Sequence, residues 1–139
     1  MRIQRKHPDA APPSYGTPGS AGLDLRTVAE VKIFPGEQRL IRLGWAFEIP
    51  EGHVGLLFVR SSLGALGFTL ANSVGVIDSD YRGEVSALIR SFRADPYTFT
   101  KHQKIVQLLV VPFSLVTIDE VNDLSETERG EGGWGSTTK

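Results

Sequence analysis

Glycine and proline interrupt this chain every few residues, and that spacing is what most restricts the fold it can adopt. The 139 residues include 15 glycines and 8 prolines. Proline breaks a helix interior and glycine weakens one, and no long stretch of the chain keeps a helical hydrophobic period. The sequence therefore predicts short elements joined by tight turns.

The segments between these breaks are rich in β-branched and apolar residues. Pro35-Gly36 and Pro50-Glu51-Gly52 separate such segments, and both are turn sequences, because proline presets φ and glycine accepts a positive φ. Many short strands at this spacing predict an all-β fold, either a β-sandwich or a β-barrel. The predicted strands are 31–34, 38–43, 45–49, 54–59, 67–70, 85–89 and 104–111.

One segment departs from this strand pattern. The run from Arg60 to Gly67 predicts a short helical turn, which Ser61 or Ser62 caps and Gly67 ends. Free backbone N–H groups and hydroxyls at such a start can bind an anion, although helix caps without ligands are common. Residues 119–128 are acidic and poor in strand formers, so we expect them to link the folded body to the C-terminal residues.

The size and charge of the chain limit its classes of function. A chain of 139 residues makes about one domain. The net charge of −1 argues against a partner such as polymeric nucleic acid, which is bound through bulk positive charge. The absence of cysteine excludes disulfides and thiolate chemistry. No apolar leader is present and no run approaches the ~20 residues that span a bilayer, so we expect no membrane partner and a soluble protein of the cytoplasm, or of the host cytoplasm if it is viral.

Residues 129–139 cannot contribute to a core, because four glycines surround a single tryptophan there. Trp134 offers a stacking face, Arg129 can clamp a phosphate, and Ser136 and Thr137 supply hydroxyl donors. Taken alone, the segment fits two interpretations: a mobile lid over a nucleotide, or a disordered tail with a stray tryptophan.

A dense polar segment follows the apolar pair Val76-Ile77. Residues 78–84 contain three carboxylates, an arginine and a tyrosine. A solvated turn explains this composition, and so does a site in which one carboxylate orients or deprotonates a water molecule. The preceding residues 72–75, Asn-Ser-Val-Gly, predict a tight hairpin turn.

Two further polar residues interrupt apolar strands. Asp24 lies between Leu23 and Leu25, which an alternating strand with its polar face outward explains as well as a site does. Gln107 interrupts the run 105–110, and a lone amide in a strand usually faces solvent. Neither residue indicates a function by itself.

In their order along the chain, five segments resemble the five motifs of the homotrimeric dUTPase family. They are 21–26, 60–64, 75–84, 104–108 and 129–137. The resemblance implies a distorted jelly-roll-like β-barrel of the β-clip type, with one short helix and a flexible C-terminal arm. It divides the chain into a barrel domain, residues 1–128, and a lid arm, residues 129–139. It also implies a homotrimer whose active sites are shared between subunits, each arm being delivered by a neighbour.

The resemblance further implies a reaction, the hydrolysis of dUTP to dUMP and pyrophosphate, which keeps uracil out of DNA and supplies dUMP for dTMP synthesis. Asp78 would be the general base that activates water for attack on the α-phosphorus. Tyr81 would lie under the deoxyribose and exclude UTP, and Asn72 with the backbone at Gly75 would contact uracil. The Mg²⁺ cofactor would be held by the triphosphate and water, with Asp24 touching its water shell and no direct protein ligand.

The remaining implied residues bind the phosphates and cover the base. Arg60 would support the phosphate-binding segment, and Trp134 would stack on uracil. The other substrate-binding residues are Ser61, Ser62, Gln107, Arg129, Gly135, Ser136 and Thr137.

The fourth motif departs from the family pattern. His102, Lys104 and Val106 stand where the family usually has Gly, Arg and Ala. Lysine is a point charge and cannot make the fork-shaped contact of an arginine. None of these departures removes a principal catalytic group.

Two other activities fit part of the same pattern. The related dCTP deaminases share the Arg-Ser-Ser-Leu segment, but they need a catalytic Glu where this chain has Leu88. A regulatory protein of the viral or phage type, using the nucleotide as a switch, is the other alternative.

Overall fold

The computed structural model describes residues 1–134, and in this range the chain forms short strands and one short helix. The strands are β1 (Arg2–Arg5), β2 (Ser14–Tyr15), β3 (Leu23–Arg26), β4 (Val31–Ile33), β5 (Gln38–Glu48), β6 (His53–Val59), β7 (Phe68–Leu70), β8 (Gly75–Ile77), β9 (Val85–Ser91), β10 (Tyr97–Phe99) and β11 (Lys104–Pro112). The helix, α1 (Ser61–Ala65), lies between β6 and β7. The prediction of an all-β fold with one short helix is therefore confirmed.

The strands form two larger sheets and one small one, and all pairs are antiparallel. The five-stranded sheet has the order β2-β3-β11-β6-β8, and the four-stranded sheet has the order β1-β5-β9-β7. β10 and β4 form a separate pair. No described strand belongs to both larger sheets, so the barrel is distorted rather than closed by one continuous ladder.

The core lies between these sheets. Leu25, Ile33, Phe99 and Ile105 are completely buried, and Phe47 is 1% exposed. The rings of Phe68, Tyr97 and Phe99 have centroids 5.0–5.1 Å apart at tilted or edge-on angles, as aromatic rings prefer. This cluster joins β7, the strand that follows α1, to β10 within the core.

Strand β5 is one continuous element, although the sequence predicted two strands separated by Gly44. The pairing with β9 steps from Arg42↔Ser86 to Trp45↔Val85, so residues 43 and 44 form a bulge. Gly44 has φ of 79°, and a Cβ there would be 2.4 Å from the Cβ of Ala10. Glycine is therefore required at this position by close packing inside a strand, and not by a turn that ends it.

Helix α1 begins differently from the prediction. Its N-cap is Arg60, and no side chain makes a capping hydrogen bond, so the predicted cap by Ser61 or Ser62 is wrong. The buried side chain of Leu63 holds the helix against the core instead. The predicted end is confirmed: Leu66 is the C-cap, and Gly67 follows with φ of 87°.

The last described strand ends at Pro112, and residues 113–134 contain no helix or strand. Four apolar side chains in this segment are 78–89% exposed: Leu115, Val116, Ile118 and Leu124. Among residues 1–134, no helix has the length and apolar character needed to cross a bilayer.

Candidate active site

Asp24 is buried and held between two cations. Its Oδ1 lies 2.9 Å from Nε of Arg60, and its Oδ2 lies 2.8 Å from Nζ of Lys104. The residue is only 5% exposed, so the interpretation of Asp24 as part of an outward polar face is wrong. A buried carboxylate is tolerated only with such partners, and both come from strand ends far away in sequence.

The Asp24 cleft, a depression of about 340 Å³, surrounds this ion-paired group. Its lining residues are Gly16, Ser20, Ala21, Gly22, Asp24, Arg60, Gln107 and Leu109. Gln107 lies directly beside Asp24 on the neighbouring strand and is half-buried. A Cβ on Gly22 would be 2.5 Å from Oε1 of Gln107, so only glycine at this position leaves room for the side-chain amide of Gln107 against residues 21–26.

The first turn of α1 adjoins the Asp24 cleft through Arg60. The backbone N–H of Arg60 donates to the carbonyl of Ile105 at 3.1 Å, which fixes the start of the helix to β11. The helical bonds begin with Leu63 N–H donating to the Arg60 carbonyl. Ser61 and Ser62 precede that bond and are exposed, so their N–H groups and hydroxyls are available to an anion.

The Asp78 cleft, about 370 Å³ in volume, is a second polar depression. Its lining residues are Leu40, Val76, Ile77, Asp78, Tyr81, Glu84, Val85 and Ser86. Asp78 directly follows β8 and is exposed. The N–H of Tyr81 donates to the carbonyl of Asp78 at 3.2 Å, and this turn brings the carboxylate and the phenol into one cleft.

The ring of Tyr81 is positioned by the residues that follow it. Its hydroxyl donates to the carbonyl oxygen of Glu84 at 3.2 Å. A Cβ on Gly83 would be 2.3 Å from that hydroxyl oxygen, so the ring lies where only glycine leaves room. This role of Gly83 was not predicted from the sequence, although the glycine between Arg82 and Glu84 could have indicated a close contact.

The Glu84 carboxylate is held by three donors. Arg42 donates through Nε at 3.0 Å and Nη2 at 2.6 Å to Oε2, and the N–H of Gly44 donates to Oε1 at 2.8 Å. Partial burial acts to raise the pKa of Glu84, but the bonds from Arg42 and Gly44 outweigh it and keep that pKa below its usual value. The bulge in β5 supplies the Gly44 donor, because the bulge frees that N–H from the strand ladder.

Asn72 lies in the turn between β7 and β8, and Gly75 is the first residue of β8. The predicted turn is present, with the N–H of Ser73 donating to the carbonyl of Leu70 at 3.0 Å. The predicted hairpin is wrong, because β7 pairs with β9 and β8 pairs with β6, so the turn crosses between the two sheets. A Cβ on Gly75 would be 3.0 Å from the Cβ of Leu57, and Asn72 is exposed beside it.

The two clefts lie apart on the chain, and no described residue lines both. Asp24 lines up across the sheet with Gln107 and Phe58, whereas Ile77 lines up with Gly55. β3 and β8 are three strand spacings apart, which is about 14 Å, and positions 55 and 58 of β6 differ by about 10 Å along the strand. Asp24 and Asp78 are therefore not brought together within one chain.

The described part of the C-terminal segment does not contact either cleft. Nε of Arg129 donates to the carbonyl of Gly132 at 2.7 Å, within the same turn, and Trp134 is fully exposed. The remaining predicted substrate-binding residues of this segment, Gly135, Ser136 and Thr137, lie outside the described residues.

Within residues 1–134, no three His, Asp or Glu side chains converge as a metal site would require. The Asp24 cleft offers one carboxylate and the amide of Gln107. This donor set is too small to hold Mg²⁺ directly, but it suits hydrogen bonds from the water molecules that the ion keeps.

Together the fold and these clefts define a class of small antiparallel β proteins whose polar groups lie at strand ends and turns. The family model described as dUTPase matches residues 9–138. The protein therefore belongs to the dUTPase family, and the resemblance of the five motifs is confirmed.

Relatives and solved structures agree with this assignment. A protein of Anaeromyxobacter sp. named deoxyuridine 5′-triphosphate nucleotidohydrolase is 42% identical over 137 residues, covering 98% of this chain and 93% of its own. A Clostridium kluyveri protein of the same name is 43% identical over 138 residues, covering 99% and 96%. A variant of the dUTPase of Staphylococcus bacteriophage 80alpha, solved with dUpNHpp, superimposes with a TM-score of 0.92 at 25% identity, covering 98% and 96%. The predicted jelly-roll-like fold is confirmed, and the names of these relatives do not favour the deaminase or the regulatory alternative.

Proposed function

We propose that this protein hydrolyses dUTP to dUMP and pyrophosphate, and so keeps uracil out of DNA. The observation that carries the proposal is the Asp78 cleft, where one short turn holds an exposed carboxylate beside the ring of Tyr81. Family membership supports this assignment, since the relatives at about 40% identity are named for this reaction.

In the proposed reaction, Asp78 accepts a proton from a water molecule that attacks the α-phosphorus. The new P–O bond forms as the bond from the α-phosphorus to the bridging oxygen breaks. Pyrophosphate leaves with that oxygen, and the proton remains on the Asp78 carboxylate. Displacement at phosphorus depends mainly on the position of the attacking water and on neutralising the charge of the phosphate oxygens. An exposed carboxylate at a fixed turn can position that water.

The nucleoside half of dUTP is assigned to the Asp78 cleft and the adjoining turn. The Tyr81 ring would pack under the deoxyribose and leave no room for a 2′-hydroxyl. Asn72 and the backbone at Gly75 would contact the uracil edge. The apolar side chains of Leu40 and Val76 line the same cleft and would provide an apolar surface for the sugar.

The phosphate half is assigned to the Asp24 cleft and the start of α1. Ser61 and Ser62 offer exposed donors, and Gln107 adds an amide. Arg60 positions this segment through its ion pair with Asp24. Residues 129–139 would complete the site as a lid, with Arg129, Gly135, Ser136 and Thr137 on the phosphates and Trp134 stacked on the base. We propose that this arm is distinct from the body formed by residues 1–128.

Mg²⁺ is the proposed cofactor, and it would neutralise charge on the phosphate oxygens. The residue that would interact with it is Asp24, through the water shell of the ion. The ion pairs to Arg60 and Lys104 hold the Asp24 carboxylate at a fixed angle for this contact.

We propose a homotrimer with shared sites. Two observations support it: the Asp24 and Asp78 clefts lie apart on one subunit, and Leu115, Val116 and Ile118 expose apolar surface that a neighbour would cover.

The net charge of −1 is compatible with dUTP as the substrate, because a small triphosphate can be bound by a few local cations without an extended basic surface. We propose no polymeric nucleic acid or membrane as a partner.

The test is release of pyrophosphate from dUTP by the purified protein with Mg²⁺. Asp78→Asn should nearly abolish turnover without changing the assembly measured by light scattering. Asp80→Asn is the matched control: Asp80 lies in the same polar segment and does not line the Asp78 cleft, so this variant should stay active. Ammonia release from dCTP, or no turnover of either nucleotide, would contradict the proposal.

A further inference from the structure

Arg42 lies outside the Asp78 cleft yet is linked to it by a chain of hydrogen bonds. It is on β5, and its side chain is 52% exposed and does not line the cleft that holds Tyr81. Its guanidinium donates twice to Oε2 of Glu84, a carboxylate whose side chain is only 16% exposed. The carbonyl of the same Glu84 accepts the hydroxyl of Tyr81.

We infer that Arg42 is a positioning residue for sugar selection, acting through Glu84 on the Tyr81 ring. The inference rests on the proposed function, in which Tyr81 excludes the 2′-hydroxyl of UTP. Arg42 touches neither substrate nor the reacting atoms in this assignment. Its effect is to fix the main chain at residue 84, whose carbonyl sets the position of the phenol.

The geometry favours this role over simple surface pairing. Glu84 is held on one side by the Gly44 N–H at 2.8 Å and on the other by Arg42. Without Arg42 the partly buried carboxylate would keep one of its three donors and would turn toward water to replace the others. The backbone at Glu84 would then be free to move, and the Tyr81 hydroxyl would lose a fixed acceptor.

Gly83 makes the ring sensitive to such a movement. A Cβ at that position would be 2.3 Å from the Tyr81 hydroxyl, so the ring is packed against the main chain of the residue just before Glu84. A small shift at residues 83–84 therefore changes the space left beside the deoxyribose.

The test compares kcat/KM for dUTP with kcat/KM for UTP. Arg42→Met keeps the apolar stem and removes the donors, and it should lower the dUTP:UTP ratio about tenfold, which corresponds to the loss of one or two net hydrogen bonds. Arg42→Lys keeps one donor and should restore part of the ratio. A merely stabilising ion pair would change the melting temperature and leave the ratio unaltered.

A double substitution tests the path through the phenol. Tyr81→Phe removes the hydroxyl that Glu84 accepts, so adding Arg42→Met to it should lower the ratio no further. Arg39→Ala is the matched control, because Arg39 is on the same strand and pairs with Glu37 at 2.6 Å. This control should leave the ratio unchanged.

An unchanged ratio in Arg42→Met would overturn the inference, as would full additivity with Tyr81→Phe. If Arg42→Met does not fold, Arg42→Lys decides: an unaltered ratio in that variant also overturns the inference. Failure of the unmodified protein to hydrolyse dUTP would instead overturn the proposed function, so the two failures are distinguishable.

Discussion

The ring of Tyr81 lies so close to Gly83 that a Cβ at residue 83 would be 2.3 Å from the tyrosine hydroxyl oxygen. The phenol and the glycine therefore form one structural unit at the edge of the Asp78 cleft. This relationship predicts the effect of the smallest possible substitution.

Gly83→Ala should displace the Tyr81 ring and raise KM for dUTP by about tenfold or more, because a misplaced ring no longer supports the sugar. Gly19→Ala is a suitable control, since a Cβ at that position meets nothing within 4 Å. Steady-state kinetics of both variants provide the measurement. Equal KM values in the two variants would show that the ring moves aside without consequence.

The ion pair between Asp24 and Lys104 should contribute to folding. Lys104→Met leaves Oδ2 of a buried carboxylate without its cation and should lower the free energy of unfolding by about 1–3 kcal/mol. In an Asp24→Asn background the same substitution should cost less, because no buried charge is left unpaired. Urea unfolding of the four proteins gives the coupling energy, and a coupling of zero would contradict the prediction.

Acid should weaken the contact between Arg42 and Glu84. The pKa of Glu84 is lower in the folded state than its usual value, so this group contributes stability above the unfolded pKa of about 4.3. That contribution is lost as the pH falls through the folded pKa. The stability difference between the unmodified protein and Glu84→Gln should therefore be largest near neutral pH and shrink on acidification. Thermal unfolding between pH 7 and pH 3 checks this, and a difference that grows in acid would contradict it.

Asp9 provides an independent comparison for the acid experiment. Its pKa is lowered by the hydrogen bond and charge of Lys101, 2.9 Å away, so its pH dependence has the same sign as that of Glu84. Asp9→Asn should reduce acid sensitivity without changing the dUTP:UTP ratio. This separates a general effect of acid from the effect at the Asp78 cleft.

Deletion of residues 129–139 should spare folding and assembly and reduce activity about 100-fold, because the groups that we propose as a lid would be lost while residues 1–128 stay intact. The described part of this arm supports the expectation: Arg129 bonds only to Gly132 in its own turn, and Trp134 is fully exposed. Trp134→Ala isolates the stacking contact and should lose less activity than the deletion. Full activity of the shortened protein would show that the segment is a tail and not a lid.

Turns could be predicted from neighbouring residues, whereas strand continuity and sheet membership depend on pairing partners that are distant in sequence. Pro35-Gly36 and Pro50-Glu51-Gly52 fall between strands as predicted, because their φ preferences act within a few residues. The interruption at Gly44 was misinterpreted, since a bulge inside a strand depends on the register with β9. The same holds for residues 72–75, where the turn was recognised but its flanking strands join different sheets.

The candidate site shows the same division. Asp78 and Tyr81 could be recognised together because one short turn carries both. The burial of Asp24 could not be deduced from its neighbours, because Arg60 and Lys104 come from other elements. The contact between Arg42 and Glu84 could not be predicted from the sequence. It depends on the bulge in β5, which places both Arg42 and the Gly44 N–H against the Glu84 carboxylate.

The separation of the Asp24 and Asp78 clefts within one chain has a genetic consequence if the proposed trimer forms. If each working site combines surfaces from different subunits, a chain defective at Asp78 and a chain lacking its arm can compensate for each other in mixed trimers. Two alleles that are inactive alone would then restore partial activity when expressed together, and a gene carrying both lesions would not.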